Sequence, residues 1–384
     1  MMSAKLFIAS EAVLRVERTS LRVQQPASSS DMVSLAMGEP DFDTPPRIVQ
    51  AAVEALQQGY THYAPLLGDK TLCQALADDV SARSGMPVKN GEVLVTHGGT
   101  AGLAAAILSI VNPGDRVVIP DPTYSLYADL VNMAGGICIP MPCRSDLHWD
   151  LDRLDKALEG AKLFVFCNPG NPTGIVHSRE EVETLGKLVN KHNNLVIADE
   201  AYSDLVFTDR PFTSVLQVPA FAGRTLFCQT FSKSYAMTGW RVGYLAGPAE
   251  MIAAAARVHN SVNGSVNSAV QRAALVALTQ CQNDVKRMYD VYRERRQLMM
   301  EGLYAIPELS LNEPEGAFYC FPSYSLPIPA IDMVALLREQ GIAVRPGSEF
   351  GAAGERHLRL SYAASNEAIV EGVRRLKRAL AGLN

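Results

Sequence analysis

The 384-residue chain has no pair of cysteines at Cys-x-x-Cys spacing. Its seven (Cys73, Cys138, Cys143, Cys167, Cys228, Cys281 and Cys320) are scattered, mostly within apolar runs. An odd, unpatterned set reads as reduced thiols, which excludes a disulfide framework and a cysteine zinc site, and no metal centre is expected. No apolar run reaches the roughly 20 residues that a bilayer-crossing helix needs. Positive charge is not in excess either: the formal net charge is −5, so no nucleic-acid partner held by a basic surface is expected. Met1 to Ser10 carry one lysine and a short apolar patch, too weak for a secretory signal. Together these absences point to a cytoplasmic protein. There is no low-complexity tract and no repeat of 20–50 residues.

What is present is apolar and long. Hydrophobic residues make up 48% and charged ones 20%, the balance of a globular protein with a large core. The length suits two domains sharing an interface. The N-terminal arm, to about Ser30, places Val13, Leu14, Val16 and Leu21 among charges, which suggests a short helix ended by Pro26 to Ser30. Val33 to Met37 reads as a strand running into the turn Gly38-Glu39-Pro40-Asp41, and a helix follows from Pro45 or Pro46 to Leu56.

From Lys89 strands and helices alternate. Expected strands are Val93–Thr96, Arg116–Pro120, Ile137–Ile139, Leu163–Cys167, Leu195–Ala198 and Arg224–Cys228. Expected helices are Leu103–Ile110, Leu151–Leu158 and Arg179–His192, with His97 to Gly102 a tight turn before the first. The strands are almost continuously apolar, as in a parallel sheet buried on both faces. A long helical region from about Val266 to Leu303 leads to a smaller α/β portion, with a helix around Met333–Leu337 and a strand His357–Tyr362.

Ligands of such sheets sit at the carboxyl ends of the strands, so the residues after each strand matter most. Gly98-Gly99-Thr100-Ala101 would open a helix with free amide hydrogens, a cradle for phosphate. It fits neither the dinucleotide glycine fingerprint nor a Walker loop, which disfavours a nucleotide and a nicotinamide dehydrogenase. Asp121-Pro122-Thr123-Tyr124 offers an aromatic ring, and Asn168 to Gly174 a rigid turn with side-chain amides. Asp199-Glu200-Ala201-Tyr202 puts a carboxylate and a phenol after the next strand. Lys233 and Arg241 follow Arg224–Cys228. A buried lysine beside a second cation loses basicity and attacks carbonyls, and an arginine fork suits phosphate. Alone, each has a plainer explanation: Asp199 an N-cap, Tyr202 a helix-face aromatic, Arg359 a surface arginine. Together they describe a pyridoxal phosphate pocket.

The chain resembles the class I/II aminotransferases, pyridoxal-phosphate enzymes of fold type I in the aspartate aminotransferase superfamily. The likeness runs from Gly38-Glu39-Pro40-Asp41-Phe42 to Arg359, and its specific motifs are Asn168–Gly174, Asp199–Tyr202 and Ser232-Lys233 with Met237 to Arg241. The resemblance implies an α/β fold with a mainly parallel, helix-flanked sheet in a large domain, 46–280. The smaller α/β domain would be 1–45 with 281–384.

It implies that Lys233 carries the cofactor as a Schiff base, and that Asp199 pairs with the pyridine nitrogen. Tyr202 and Asn171 would meet the ring oxygen, and Tyr124 would stack on the ring. Gly99, Thr100, Ala101, Thr230, Ser232 and Arg241 would take the phosphate. Tyr63 would reach the phosphate of a neighbouring subunit, hence a homodimer with shared sites. Gly38, Asn171 and Arg359 would bind the substrate. The implied reaction moves an amino group from an L-amino acid to a 2-oxo acid by ping-pong kinetics. The rival on the same scaffold is β-elimination at a carbon–sulfur bond. A cofactor-sensing regulator is disfavoured, because the stretch before Val33 is short for a DNA-binding head. One departure stands out: after Tyr63 the family has a glycine and then Leu-Arg, whereas here Gly68 is followed by Leu72-Cys73. That leaves the contacts to the substrate side chain unread.

Overall fold

A computed structural model describes residues 9–16 and 31–383. Ser10 caps a short helix, Glu11–Leu14, by accepting from the amide of Val13. Leu21 and the Pro26 to Ser30 stretch of the expected arm lie outside the described residues.

Seven strands make the main sheet: β1 (Val93–Thr96), β2 (Arg116–Asp121), β3 (Ile137–Pro142), β4 (Leu163–Cys167), β5 (Leu195–Asp199), β6 (Thr225–Thr230) and β7 (Gly243–Ala246). Their order is β1-β7-β6-β5-β4-β2-β3, and only β7 runs antiparallel to its neighbours. The continuous apolar runs have a direct cause. Successive residues of a strand face opposite sides, and here both sides are core. Leu163, Val165 and Cys167 enter one apolar cluster while Phe164 and Phe166 enter another, and β5 and β6 divide in the same way.

Register sets where the strand ends fall. Cys167 pairs with Asp199, and Asp199 with Cys228, so β4, β5 and β6 end almost level. Thr96 and Thr230 both lie opposite Gly243. A β-carbon on Gly243 would fall 2.7 Å from the carbonyl of Gln229 and 3.0 Å from the backbone of Gly98 and Gly99. A bare backbone at 243 therefore lets the segment after β1 lie close against the sheet.

The remaining strands are short. β8 (Tyr319–Cys320), β9 (Arg345–Pro346) and β10 (Leu358–Ser361) form an antiparallel sheet with β10 in the middle. Val33–Ser34 pairs in parallel with Ile342–Ala343, and the amide of Ser361 donates to Leu35 O at 2.7 Å. The N-terminal segment is thereby tied to the C-terminal third. Helix Gln282–Tyr304 packs on helix Asn366–Ala381.

The structure corrects several sequence expectations. His97 to Gly102 is not a turn before a helix: the helix itself runs Gly98–Ile110, starting at a glycine with φ +75°. The region Val266–Leu303 is two helices, Ser268–Gln280 and Gln282–Tyr304, broken at Cys281. The first packs on Pro46–Gln57 and the second on the C-terminal helix, two partners that one straight helix could not serve. The strand expected over Val33–Met37 is confined to Val33–Ser34. β7 and the helices Lys70–Ser84, Leu126–Met133 and Ala249–Asn263 were not anticipated.

Candidate active site

A cavity of about 360 Å³ opens at the level ends of β4, β5 and β6. Of the residues singled out in the sequence, Gly38, Gly99, Thr100, Tyr124, Asn171, Asp199, Tyr202, Thr230, Ser232, Lys233 and Arg241 line it. Arg359 stands behind Asn171, donating to its Oδ1 at 3.0 Å. Ala101 lies in the first turn of helix Gly98–Ile110 but not on the cavity wall. Tyr63 is 98% exposed and away from the cavity of its own chain.

Asp199 ends β5 and is buried. Its Oδ2 accepts from the Tyr127 hydroxyl at 2.8 Å and its Oδ1 from the Ala201 amide at 3.1 Å. Burial raises its pKa, against the pull of those hydrogen bonds and of nearby Lys233. A carboxylate so placed favours a cationic partner from the cavity.

Thr230 ends β6 and caps the helical turn Phe231–Ser234, accepting from the amide of Ser232 at 3.2 Å. That turn aims Lys233 inward, where its Nζ donates to Gly38 O at 2.6 Å. Arg241 holds a left-handed backbone, φ +54°, unusual outside glycine. Its Nη1 donates to Thr238 O at 2.8 Å, and its guanidinium lies so near Gly98 that a β-carbon there would fall 2.7 Å away. The start of helix Gly98–Ile110, the Thr230 and Ser232 hydroxyls and Arg241 thus form one anion-favouring wall.

The facing wall is built around Arg359 on β10. Nη2 donates to Ala36 O at 2.8 Å, and the guanidinium lies 4.4 Å from the Tyr319 ring centre and 4.9 Å from that of Phe350. Burial lowers the pKa of Arg359, and its Nε has no partner among the described residues. A buried guanidinium with an unused N–H is a ready carboxylate receptor.

Sequence reasoning missed Tyr127, the partner of Asp199, and Tyr319, whose hydroxyl meets that of Tyr202 at 2.9 Å. It also missed Cys167, Glu39, Leu103 and Thr238 on the cavity wall. A phenol at the second position of a helix carries no signal of its own, and neither does a thiol in an apolar strand.

Two features of this cavity fit pyridoxal phosphate: an anion cradle that leaves no room for a β-carbon at Gly98, and a buried carboxylate suited to a protonated ring nitrogen. Over residues 30–376 the chain matches the model of the family described as aminotransferase class I and II. The chain belongs to that family. An aspartate/prephenate aminotransferase of Thermus thermophilus is 37% identical over 358 residues, covering 91% of each chain. An aspartate aminotransferase of Pyrococcus horikoshii is 34% identical, covering 98% of each. Among solved structures, the Thermus thermophilus aspartate aminotransferase with maleate superposes with a TM-score of 0.91 at 34% identity, covering 97% of this chain and 100% of that one. This class I/II member is a pyridoxal-phosphate-dependent aminotransferase acting between an amino acid and a 2-oxo acid.

Glu200, next to Asp199, is also buried, and burial pushes its pKa up to about 7. Its Oε1 accepts from the Val215 amide at 2.9 Å, while Oε2 has no partner among the described residues. With a folded pKa above the unfolded one, the folded chain binds more protons between about 4.5 and 7, so this group withdraws stability as pH rises through that window. Glu200→Gln stays neutral and keeps the acceptor. It should flatten the fall and leave the variant more stable than the parent above pH 7 by up to about 3 kcal/mol. Urea unfolding of both proteins at pH 5 and pH 8 checks this, and parallel pH dependence in the two would contradict it.

Proposed function

We propose that this aminotransferase works with Lys233 as both the cofactor's covalent anchor and the proton carrier of the reaction. The observation that carries the reading is the position of Lys233 Nζ, which donates to Gly38 O inside the cavity that the anion-favouring residues line. Pyridoxal phosphate, when bound, supplies the carbonyl that takes up the amine and the electron sink for the substrate α-carbon. Gly99, Thr100, Thr230, Ser232 and Arg241, with Ala101 behind them in the same helical turn, would hold its phosphate. Asp199, oriented by Tyr127, would face the ring nitrogen. Asn171 and Tyr202 would face the ring oxygen, and Tyr124 the ring itself. The Lys233 amine would be the group that moves a proton to and from the substrate α-carbon. Gly38 and Arg359 would bind the substrate α-carboxylate, with Asn171 bracing the guanidinium.

The names of the relatives make a dicarboxylic L-amino acid such as aspartate the first donor to test. We assign the working division as residues 46–280 for the cofactor domain, with 1–45 and 281–384 as the smaller one. The protein is proposed to act in the cytoplasm. No described helix is long and apolar enough to cross a membrane.

The function is tested with an amino donor and no oxo acid. Each active site should turn over once and stop, and borohydride treatment of the starting enzyme should fix the yellow chromophore to Lys233. Continuous release of ammonia would make the enzyme a β-lyase. A reduced adduct on another lysine would displace Lys233.

Arg359→Lys keeps the charge and loses the fork. A charge-assisted hydrogen bond contributes about 1.5–3 kcal/mol, so apparent affinity for the amino donor should fall roughly 10- to 150-fold while the chromophore at Lys233 stays intact. Unchanged affinity would mean that another cation holds the carboxylate.

The exposure of Tyr63 suits a residue that completes a neighbouring subunit's site. The protein should scatter light as a dimer, and Tyr63→Phe should release cofactor faster on dialysis. A fully active monomer would end that assignment.

A further inference from the structure

Outside the catalytic cavity, one cluster of side chains has the composition and spacing of a metal centre. His148 follows β3, His177 ends the loop after β4, and Glu181 lies in the first turn of helix Arg179–Lys191. One donor atom from each lies within 4.8 Å of the others, and none of the three residues lines the catalytic cavity. We propose that His148, His177 and Glu181 bind a divalent transition-metal ion of the zinc kind, with an open coordination position.

The geometry fits such an ion. Bonds of about 2.0–2.2 Å to nitrogen and oxygen, opened to a tetrahedral angle, set neighbouring donors roughly 3.4 Å apart. Here His148 Nδ1 lies 3.0 Å from Glu181 Oε1, and His177 Nδ1 lies 3.7 Å from the same oxygen. Two imidazoles and a carboxylate are a donor set for zinc and similar divalent ions. His177 gives the independent sign of a ligand: the side chain is 6% exposed, and its Nδ1, aimed at Glu181, makes no hydrogen bond among the described residues.

The ligands are also held in place. His177 stacks on Trp149 with ring centres 3.5 Å apart, and its amide donates to Asn168 Oδ1 at 3.1 Å. Glu181 Oε2 accepts from the Ser178 amide at 2.8 Å, in a capping box that directs the carboxylate. Behind His148, the carboxylate of Glu315 lies 3.9 Å from Nε2, where outer carboxylates orient metal-bound imidazoles. Nearby Arg144 is engaged by Asp146 through two hydrogen bonds.

Protonation states agree. Burial lowers the pKa of His177 to about 4, so its ring is neutral near pH 7, as a ligand must be. Burial would raise the pKa of Glu181, but hydrogen bonds from His148 and the Ser178 amide hold it below the usual carboxylate range.

The test uses the holoenzyme, stripped with chelator and dialysed, then titrated with Zn²⁺ by calorimetry and with Co²⁺ by visible absorption. One ion per chain should bind, and Co²⁺ should give the intense visible bands of a four-coordinate site. His148→Ala and Glu181→Gln should each weaken Zn²⁺ binding by more than roughly tenfold without changing the cofactor chromophore. His148 is partly exposed, so its variant keeps the test open if a change at buried His177 prevents folding. Absence of saturable binding to the parent protein overturns the proposal. Equal binding by both variants also overturns it, because the ion would then sit elsewhere, on the cofactor phosphate for instance.

Discussion

Burying a carboxylate at the end of a central strand is the constraint around which the rest of the molecule is arranged. Asp199 is surrounded by apolar strands whose side chains fill the core on both faces of the sheet. An isolated charge there would be expelled or neutralised. The Tyr127 hydroxyl, the Ala201 amide and the positive charge of Lys233 resist this without removing it, since the pKa of Asp199 stays raised. The residual tension gives the site its polarity, favouring a cation against Asp199. Sheet register makes the arrangement possible by ending β4, β5 and β6 together.

The opposite requirement, a place for anions, is met by close approach of backbone. Gly98 accepts a left-handed conformation and leaves space for the Arg241 guanidinium, and Gly243 leaves space for the backbone of Gly98 and Gly99. Arg241 itself is left-handed, a conformation that costs roughly 1–3 kcal/mol and persists because its surroundings hold it. Gly38 plays the same part on the other wall, where a β-carbon would fall 2.1 Å from the Tyr319 hydroxyl. A side chain at 38 would therefore push Tyr319 off Tyr202 and move the carbonyl that holds Lys233.

Much of this was readable in sequence because the signals were local. β4 is matched residue for residue, and β2, β3, β5 and β6 are longer than expected by one to three residues. A two-face core leaves the same continuous apolar run whatever the neighbours are. Lys233, Asp199, Asn171 and Arg241 stood out because they follow such runs, or by resemblance. What was not readable depends on pairs distant in the chain. Tyr127 meets Asp199 across 72 residues, and Tyr202 meets Tyr319 across 117. The short antiparallel β7 follows the lysine segment without a break in composition. His148 meets Glu181 across 33 residues in the same way, while His177 and Glu181 are neighbours at i,i+4 spacing.

The loop after β4 connects these levels. Asn168 Oδ1 accepts from the His177 amide, and the Gly170 amide donates to Ile175 O at 2.9 Å, so the loop is closed on itself. Its Gly174 carbonyl accepts from the amides of Glu315 and Gly316, and Glu315 Oε2 accepts from the Val176 amide at 3.0 Å. The segment it grips leads directly to Tyr319. One short loop thereby carries Asn171, which braces Arg359, and ends at His177 in the second cluster. Because the loop is hydrogen-bonded to itself and to the C-terminal third, a displacement at His177 would not remain local. It would be carried through Asn168 and Gly174 to Asn171 and to the backbone before Tyr319, two of the supports of the Arg359 guanidinium. The facing wall of the cavity is in this sense only as rigid as the loop that His177 closes.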